Sequence, residues 1–141
     1  MAKKNKYAYI VTDENINVKI EYKDDPHLTL EELYEKIDCK TIEVVAPLSK
    51  EFSDSGLLLV MDEDGKYRNK NTNLIATILF GNPCDYIVGK CVIAINNCDE
   101  DEEPDIYAMP VEMAEKIFKT LSNRNKSRSV SRRTEIQTEQ N

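Results

Sequence analysis

Residues 56–61 read GLLLVM, with Leu57 to Met61 forming an apolar run that no polar side chain interrupts. Successive side chains of a strand point to opposite faces, so a run without alternation is a strand covered on both sides. Residues 86–95, YIVGKCVIAI, are the longest β-like run and read as a central strand. Gly89 inside that run marks a bulge or a close backbone approach. Tyr7–Thr12 and the alternating Ile16, Val18, Ile20, Tyr22 series flank the turn cluster Asp13-Glu14-Asn15 and predict an antiparallel hairpin. The β-branched run 41–46, TIEVVA, closed by Pro47, adds a further strand.

Helices must supply the cover. Thr29 and Glu32 have the spacing of a reciprocal capping box, Leu28 and Leu33 that of a hydrophobic staple, and Leu30, Leu33, Tyr34 and Ile37 make one apolar stripe. The spacing predicts a helix over Leu30–Ile37. A second helix opens at Pro110, with Val111, Ala114, Ile117, Phe118 and Leu121 on one face. Leu74, Ile75, Ile78 and Leu79, ended by Gly81, favour a short helix over the alternative, a strand. Asp62-Glu63-Asp64-Gly65 is a turn in which Gly65 is expected to supply a positive φ, and Lys66–Tyr67 a short return strand. The expected fold is α+β: a mixed or antiparallel sheet of about four to six strands packed by two or three helices. Both amphipathic helices, Leu30–Ile37 and Val111–Leu121, are expected to rest on it.

Charge divides the chain in two. Of its 19 basic and 26 acidic side chains, Arg124, Lys126, Arg128, Arg132 and Arg133 fall in the last twenty residues, with only Glu135 and Glu139 opposing them. The body is therefore more acidic than the chain-wide net of −7, and repels phosphate and membrane surfaces. Residues 122–141 keep only Val130 and Ile136 as sizeable apolar groups, too little to offset the entropy of ordering. The expected organisation is one domain over 1–121 and a disordered basic tail over 122–141 that attracts nucleic acid weakly. No apolar run approaches the ~20 residues that cross a bilayer, and the basic start lacks the apolar core of an export signal. A cytoplasmic location follows as the expectation, with Cys39, Cys84, Cys91 and Cys98 as reduced thiols.

The chemistry-bearing patterns are few. The cysteine intervals are too wide for a zinc knuckle, and Asp62–Gly65 fails as a calcium loop because the sixth and twelfth positions are Tyr67 and Asn73. The acidic run Asp99–Asp105 has no spacing that fixes a coordination geometry. Cys39 and His27 have no local signature of a nucleophile–base pair. No G-x-x-x-x-G-K-S/T, G-x-G-x-x-G or G-x-S-x-G motif occurs. These readings give no catalytic residue, no metal ligand and no cofactor. One polar cluster offers binding chemistry. Arg68 and Lys70 can pair with phosphate, Asn69 and Asn73 can read a base edge, and Tyr67 can stack on a ring. Against this stands a plain polar loop whose asparagines serve as turn and cap residues.

Taken in order, LEELYEKIDCKTIEVV, GLLLVMDEDGKYRN, NLIATILFG, DYIVGKCVIA and MPVEMAEKIFKTL resemble the family known as domain of unknown function 3846. The likeness runs from about Ile16 to Leu121. Where that family often has an Asn-Arg pair before its middle helix, this chain has Asn73-Leu74. The resemblance implies an accessory protein of Firmicutes, their phages or mobile elements, and brings no catalytic residue with it. Together with the missing motifs, it leads to the expectation of a non-catalytic binding module. The expected ligand is a nucleotide-like molecule or a host defence factor, held by Tyr67, Arg68, Asn69, Lys70 and Asn73. The alternatives are an acidic inhibitor imitating nucleic acid, suggested by the body's charge, and a small enzyme. A homo-oligomer is compatible with each.

Overall fold

The computed structural model describes residues 6–53, 55–96 and 106–123. Its elements are β1 (Tyr7–Thr12), β2 (Val18–Lys23), α1 (Leu30–Ile37), β3 (Ile42–Val45), α2 (Lys50–Ser53), β4 (Leu57–Asp62), α3 (Leu74–Phe80), β5 (Cys91–Asn96), β6 (Ile106–Tyr107) and β7 (Met109–Pro110). A last helix, α4, occupies 111–123. The acidic run Asp99–Asp105, Cys98 and the tail from 124 onward lie outside the described residues. Residues 122 and 123, assigned to the tail from sequence, are helical.

The fold is α+β, with an antiparallel sheet in the order β2-β1-β5-β4-β3, and with β6 and β7 added as short pairs on β5 and β1. Its centre holds the two apolar runs. Every residue of β4 is buried, as its lack of alternation predicts, and β5 is buried from Cys91 to Ala94. One face of the sheet carries Tyr9, Val60, Val92 and Ala94, against which α1 sets Leu33 and Ile37. The other carries Ala8, Ile10, Leu59, Met61, Cys91 and Ile93, covered by Ile75, Ala76 and Leu79 of α3 and by Ala114 and Leu121 of α4. The two amphipathic helices thus share the sheet but lie on opposite sides of it. Burying a side chain the size of Leu33 or Ile37 contributes about 1.5–3 kcal/mol.

The helix caps follow the sequence closely. Thr29 Oγ1 accepts from the Glu32 amide at 3.1 Å, and Leu28 and Leu33 are both buried in one cluster. The reciprocal half of the capping box is replaced by an ion pair, for the Glu32 carboxylate meets Lys23 Nζ at 2.6 Å. Within segment 71–80 residues Leu74–Phe80 form a helix: α3 is capped by Asn73 and ends on Gly81, whose φ of 73° is the left-handed cap that glycine favours.

Three expectations are corrected. Lys66 and Tyr67 form no strand, because 63–69 is one continuous turn. Gly65 does not supply the positive φ; Asn69 does, at 57°. Gly65 is instead required by space, since a Cβ there would sit 2.8 Å from Val88 Cγ2. The central strand begins at Cys91 and not at Tyr86. The stretch before it bonds to the segment leading into α3: Asn73 N donates to Ile87 O and Gly89 N to Asn71 O, both at 2.8 Å. Gly89 provides the close approach, for a Cβ at its φ of 73° would lie 2.7 Å from Lys70 Cδ.

Candidate functional site

The turn after β4 is built on one carboxylate. Asp62 Oδ1 accepts from the Asp64 amide at 2.9 Å, and the Asp62 carbonyl accepts from the Gly65 amide at 3.2 Å. Further bonds from Arg68 N to Asp64 O and from Lys70 N to Gly65 O close the loop. The Asp62 side chain is only 1 % exposed, so its charge must be matched where it lies. Arg68 Nη1 at 2.9 Å and Lys70 Nζ at 2.8 Å both meet Oδ2. Burial alone would push the Asp62 carboxyl up. The Lys70 hydrogen bond, the Asp64 amide and the charges of Lys70 and Arg68 outweigh burial and hold it below its usual value.

The same two cations close the end of α1. Its last turn leaves carbonyls without intrahelical partners, at the negative end of the helix. Lys70 Nζ donates to Asp38 O at 2.7 Å and to Ile37 O at 3.2 Å, and Arg68 Nη1 donates to Asp38 O at 3.0 Å. Asp38 reverses the chain at φ 59°, which points these carbonyls at the turn. Cys39 follows directly; burial, then the Asp62 charge, pushes its thiol up.

The five sequence-derived site residues therefore divide. Tyr67 and Asn69 project outward, Tyr67 with 88 % of its surface exposed. Lys70 is turned inward onto Asp62 and α1, and Arg68 reaches the same two partners through Nη1 while its side chain stays half exposed. Asn73 is wholly enclosed: its Nδ2 donates to Thr12 Oγ1 and Gly89 O, both at 2.9 Å, and its Oδ1 accepts from the Ala76 amide at 3.0 Å. Its amide group is thus fully engaged within the fold. Beside the turn, Lys66 pairs with Asp85 at 2.5 Å and lies 4.2 Å from the centre of the half-exposed Tyr86 ring.

Sequence reasoning missed two features. A cleft of about 460 Å³ between α2 and α4 is lined by Phe52, Leu57, Met113, Ile117 and the polar Lys116 and Thr120. Met113 stands one turn before Ile117, which the sequence already places on the α4 stripe, and that wider apolar arc was the available signal. The second is the outer edge of β3, a property of strand order that no local pattern reports. Among the described residues no group of three or more His, Cys, Asp or Glu side chains is placed to hold a metal ion, and no helix is long and apolar enough to cross a membrane.

These features define a small α+β domain with an antiparallel sheet covered on both faces and a pinned, Tyr-bearing turn at one end. The chain belongs to the family described as domain of unknown function (DUF3846), whose model matches residues 6–122. No curated protein and no solved structure matches it.

Proposed function

We propose that the protein is a non-catalytic binding module, of the kind carried by phages and mobile elements, whose contact is with a protein such as a host defence factor. One observation carries this reading: Tyr67 stands 88 % exposed on a turn whose neighbours are locked onto Asp62 and α1. An aromatic side chain held out on a rigid base loses little entropy on binding and is a frequent energetic anchor of protein contacts. A nucleotide-like ligand is less favoured, because Lys70 is enclosed against Asp62 and Asn73 is engaged within the fold, which leaves the half-exposed Arg68 alone of the expected cation pair to meet a phosphate. Against an acidic nucleic-acid mimic, Glu21, Glu32, Asp62 and Asp85 are each paired with a cation, whereas other carboxylates such as Glu43 and Glu63 are not among the described residues. The non-catalytic reading is supported by the thiols of Cys39 and Cys91, both shifted away from the reactive thiolate.

The test is to purify the tagged chain and its Tyr67→Ala variant from cells carrying the native element, and to take native mass spectra of both. A stoichiometric protein partner held by wild type and lost from Tyr67→Ala, with melting temperature unchanged, is the expected result. A bound nucleotide, or a thermal shift with a nucleotide panel that Arg68→Ala abolishes, would overturn it.

A further inference from the structure

The sheet has two outer strands, and they are not equally protected. β2 carries Lys19, Glu21 and Lys23 along its length, the charged dressing that keeps an edge from pairing. β3 reads IEVV, with Glu43 as its single charge. Glu63 N donates to Thr41 O at 3.2 Å, and the register continues through Glu43↔Met61 and Val45↔Leu59. The alternation of an antiparallel ladder then turns the backbone of Thr41, Glu43 and Val45 toward β4. The N–H and C=O groups of Ile42 and Val44 face outward. β3 pairs with no strand other than β4 among the described residues.

The side chains along this edge differ by face. Ile42 and Val44 are half-buried and apolar on the α1 side. On the other side Glu43 and Val45 enter a small cleft of about 90 Å³, together with Met61, Glu63, Asp85 and Tyr86. Asp85 is neutralised by Lys66. Glu43 and Glu63 make no ion pair among the described residues; Lys66, bonded to Asp85, lines the same cleft and feels the Glu43 charge at longer range. The edge therefore offers backbone pairing, an apolar flank and an acidic flank.

The geometry points to β3 as a strand-addition site for an extended segment of a partner protein in which apolar residues alternate with Lys or Arg. The added strand bonds to the Ile42 and Val44 backbone, sets its apolar residues beside those side chains, and places its basic residues against Glu43 and Glu63. A second copy of this chain fits less well. Self-pairing through β3 would bring two Glu43 side chains and two acidic clefts together, and like charges across a strand pair are destabilising. This inference rests on the protein-binding reading above and names the class of segment recognised.

The probe is a synthetic seven-residue peptide alternating Val with Lys and Arg, compared with the same peptide carrying Glu at the basic positions. Amide exchange by NMR on the full chain is expected to slow at Ile42 and Val44 when the basic peptide is added. Glu43 and Val45, already bonded to β4, should change little. Glu43→Lys should weaken binding about tenfold, as for loss of a close complementary charge. Val44→Pro, at a position whose N–H faces out, should abolish binding while the chain stays folded. If that variant does not fold, the exchange pattern and Glu43→Lys still decide.

Unchanged exchange at Ile42 and Val44 at millimolar peptide, or equal binding of the acidic peptide, would overturn the proposal. So would concentration-dependent protection of these amides without peptide, which would show a second copy on the edge. A null peptide result alongside a partner lost through Tyr67→Ala would leave the turn reading intact and remove only the edge.

Discussion

Lys70 Nζ lies 2.8 Å from Asp62 Oδ2 and 2.7 Å from the Asp38 carbonyl, so one ammonium joins the end of β4 to the end of α1. Arg68 repeats both contacts. Lys70 and Asp62 are enclosed, at 12 % and 1 % exposed, whereas Arg68 is 46 % exposed. Removing one member of a buried pair leaves the other charge without compensation. Asp62→Asn is expected to cost about 3 kcal/mol in urea-unfolding free energy, and Lys70→Met less, because Arg68 still meets the Asp62 carboxylate and the Asp38 carbonyl.

The pH dependence has a definite sign. The Asp62 carboxyl is held below its usual value in the fold. Its contribution is therefore fully present above the unfolded value of about 3.9, and is lost as pH falls through the lower folded value. Wild type should lose stability in that acid range, and Asp62→Asn should lose less. Asp13 and Asp85 are also depressed, so the quantity to measure is wild type minus variant at each pH.

Asn73→Ala removes the cap of α3 and deprives the Gly89 carbonyl and Thr12 hydroxyl of their donor. The expected loss is about 2–3 kcal/mol, combining a lost cap with buried polar groups left unpaired. Asn73→Asp retains the capping acceptor but not the donor, and should still be clearly destabilised in the same urea titration. If both variants unfold like wild type, the enclosed role of Asn73 is wrong.

Gly65→Ala and Asn69→Gly should move in different directions. The first forces a methyl against Val88 and is expected to cost about 1–3 kcal/mol. The second relieves a left-handed φ and should be neutral or slightly stabilising. Differential scanning calorimetry of the two variants separates them.

The described thiols should label in a fixed order. Cys84 is exposed, whereas Cys91 is fully buried and its thiol is pushed up to about 12 by burial. Iodoacetamide followed by peptide mapping should mark Cys84 first and Cys91 only when the chain unfolds. Early labelling of Cys91 would contradict its position in the core.

The sequence was readable where the signal was local. α1, the β1–β2 hairpin, β4 and α3 each announce themselves through a period, a cap or an uninterrupted apolar run. The errors came where a distant partner decided the outcome. Residues 86–90 have β-forming composition, yet they bond to 71–73 because Gly89 lets Lys70 pass close. Gly65 sits in a turn that sequence rules assign a positive φ, but Val88 is the reason glycine is needed there. Arg68 and Lys70 read as free cations because Asp38 and the end of α1, more than two dozen positions upstream, are invisible from the loop. Tyr67, with no such partner, stayed where the sequence put it.

The strand order β2-β1-β5-β4-β3 sets a schedule for synthesis. The β1–β2 and β3–β4 hairpins can each form soon after leaving the ribosome, but they have no contact along the ladder until β5 arrives between them. Until then each half-sheet has an unpaired inner rim, a state prone to wrong pairing. A stalled or truncated chain ending before Cys91 would carry two unjoined hairpins, which makes the fifth strand the closing keystone of biogenesis.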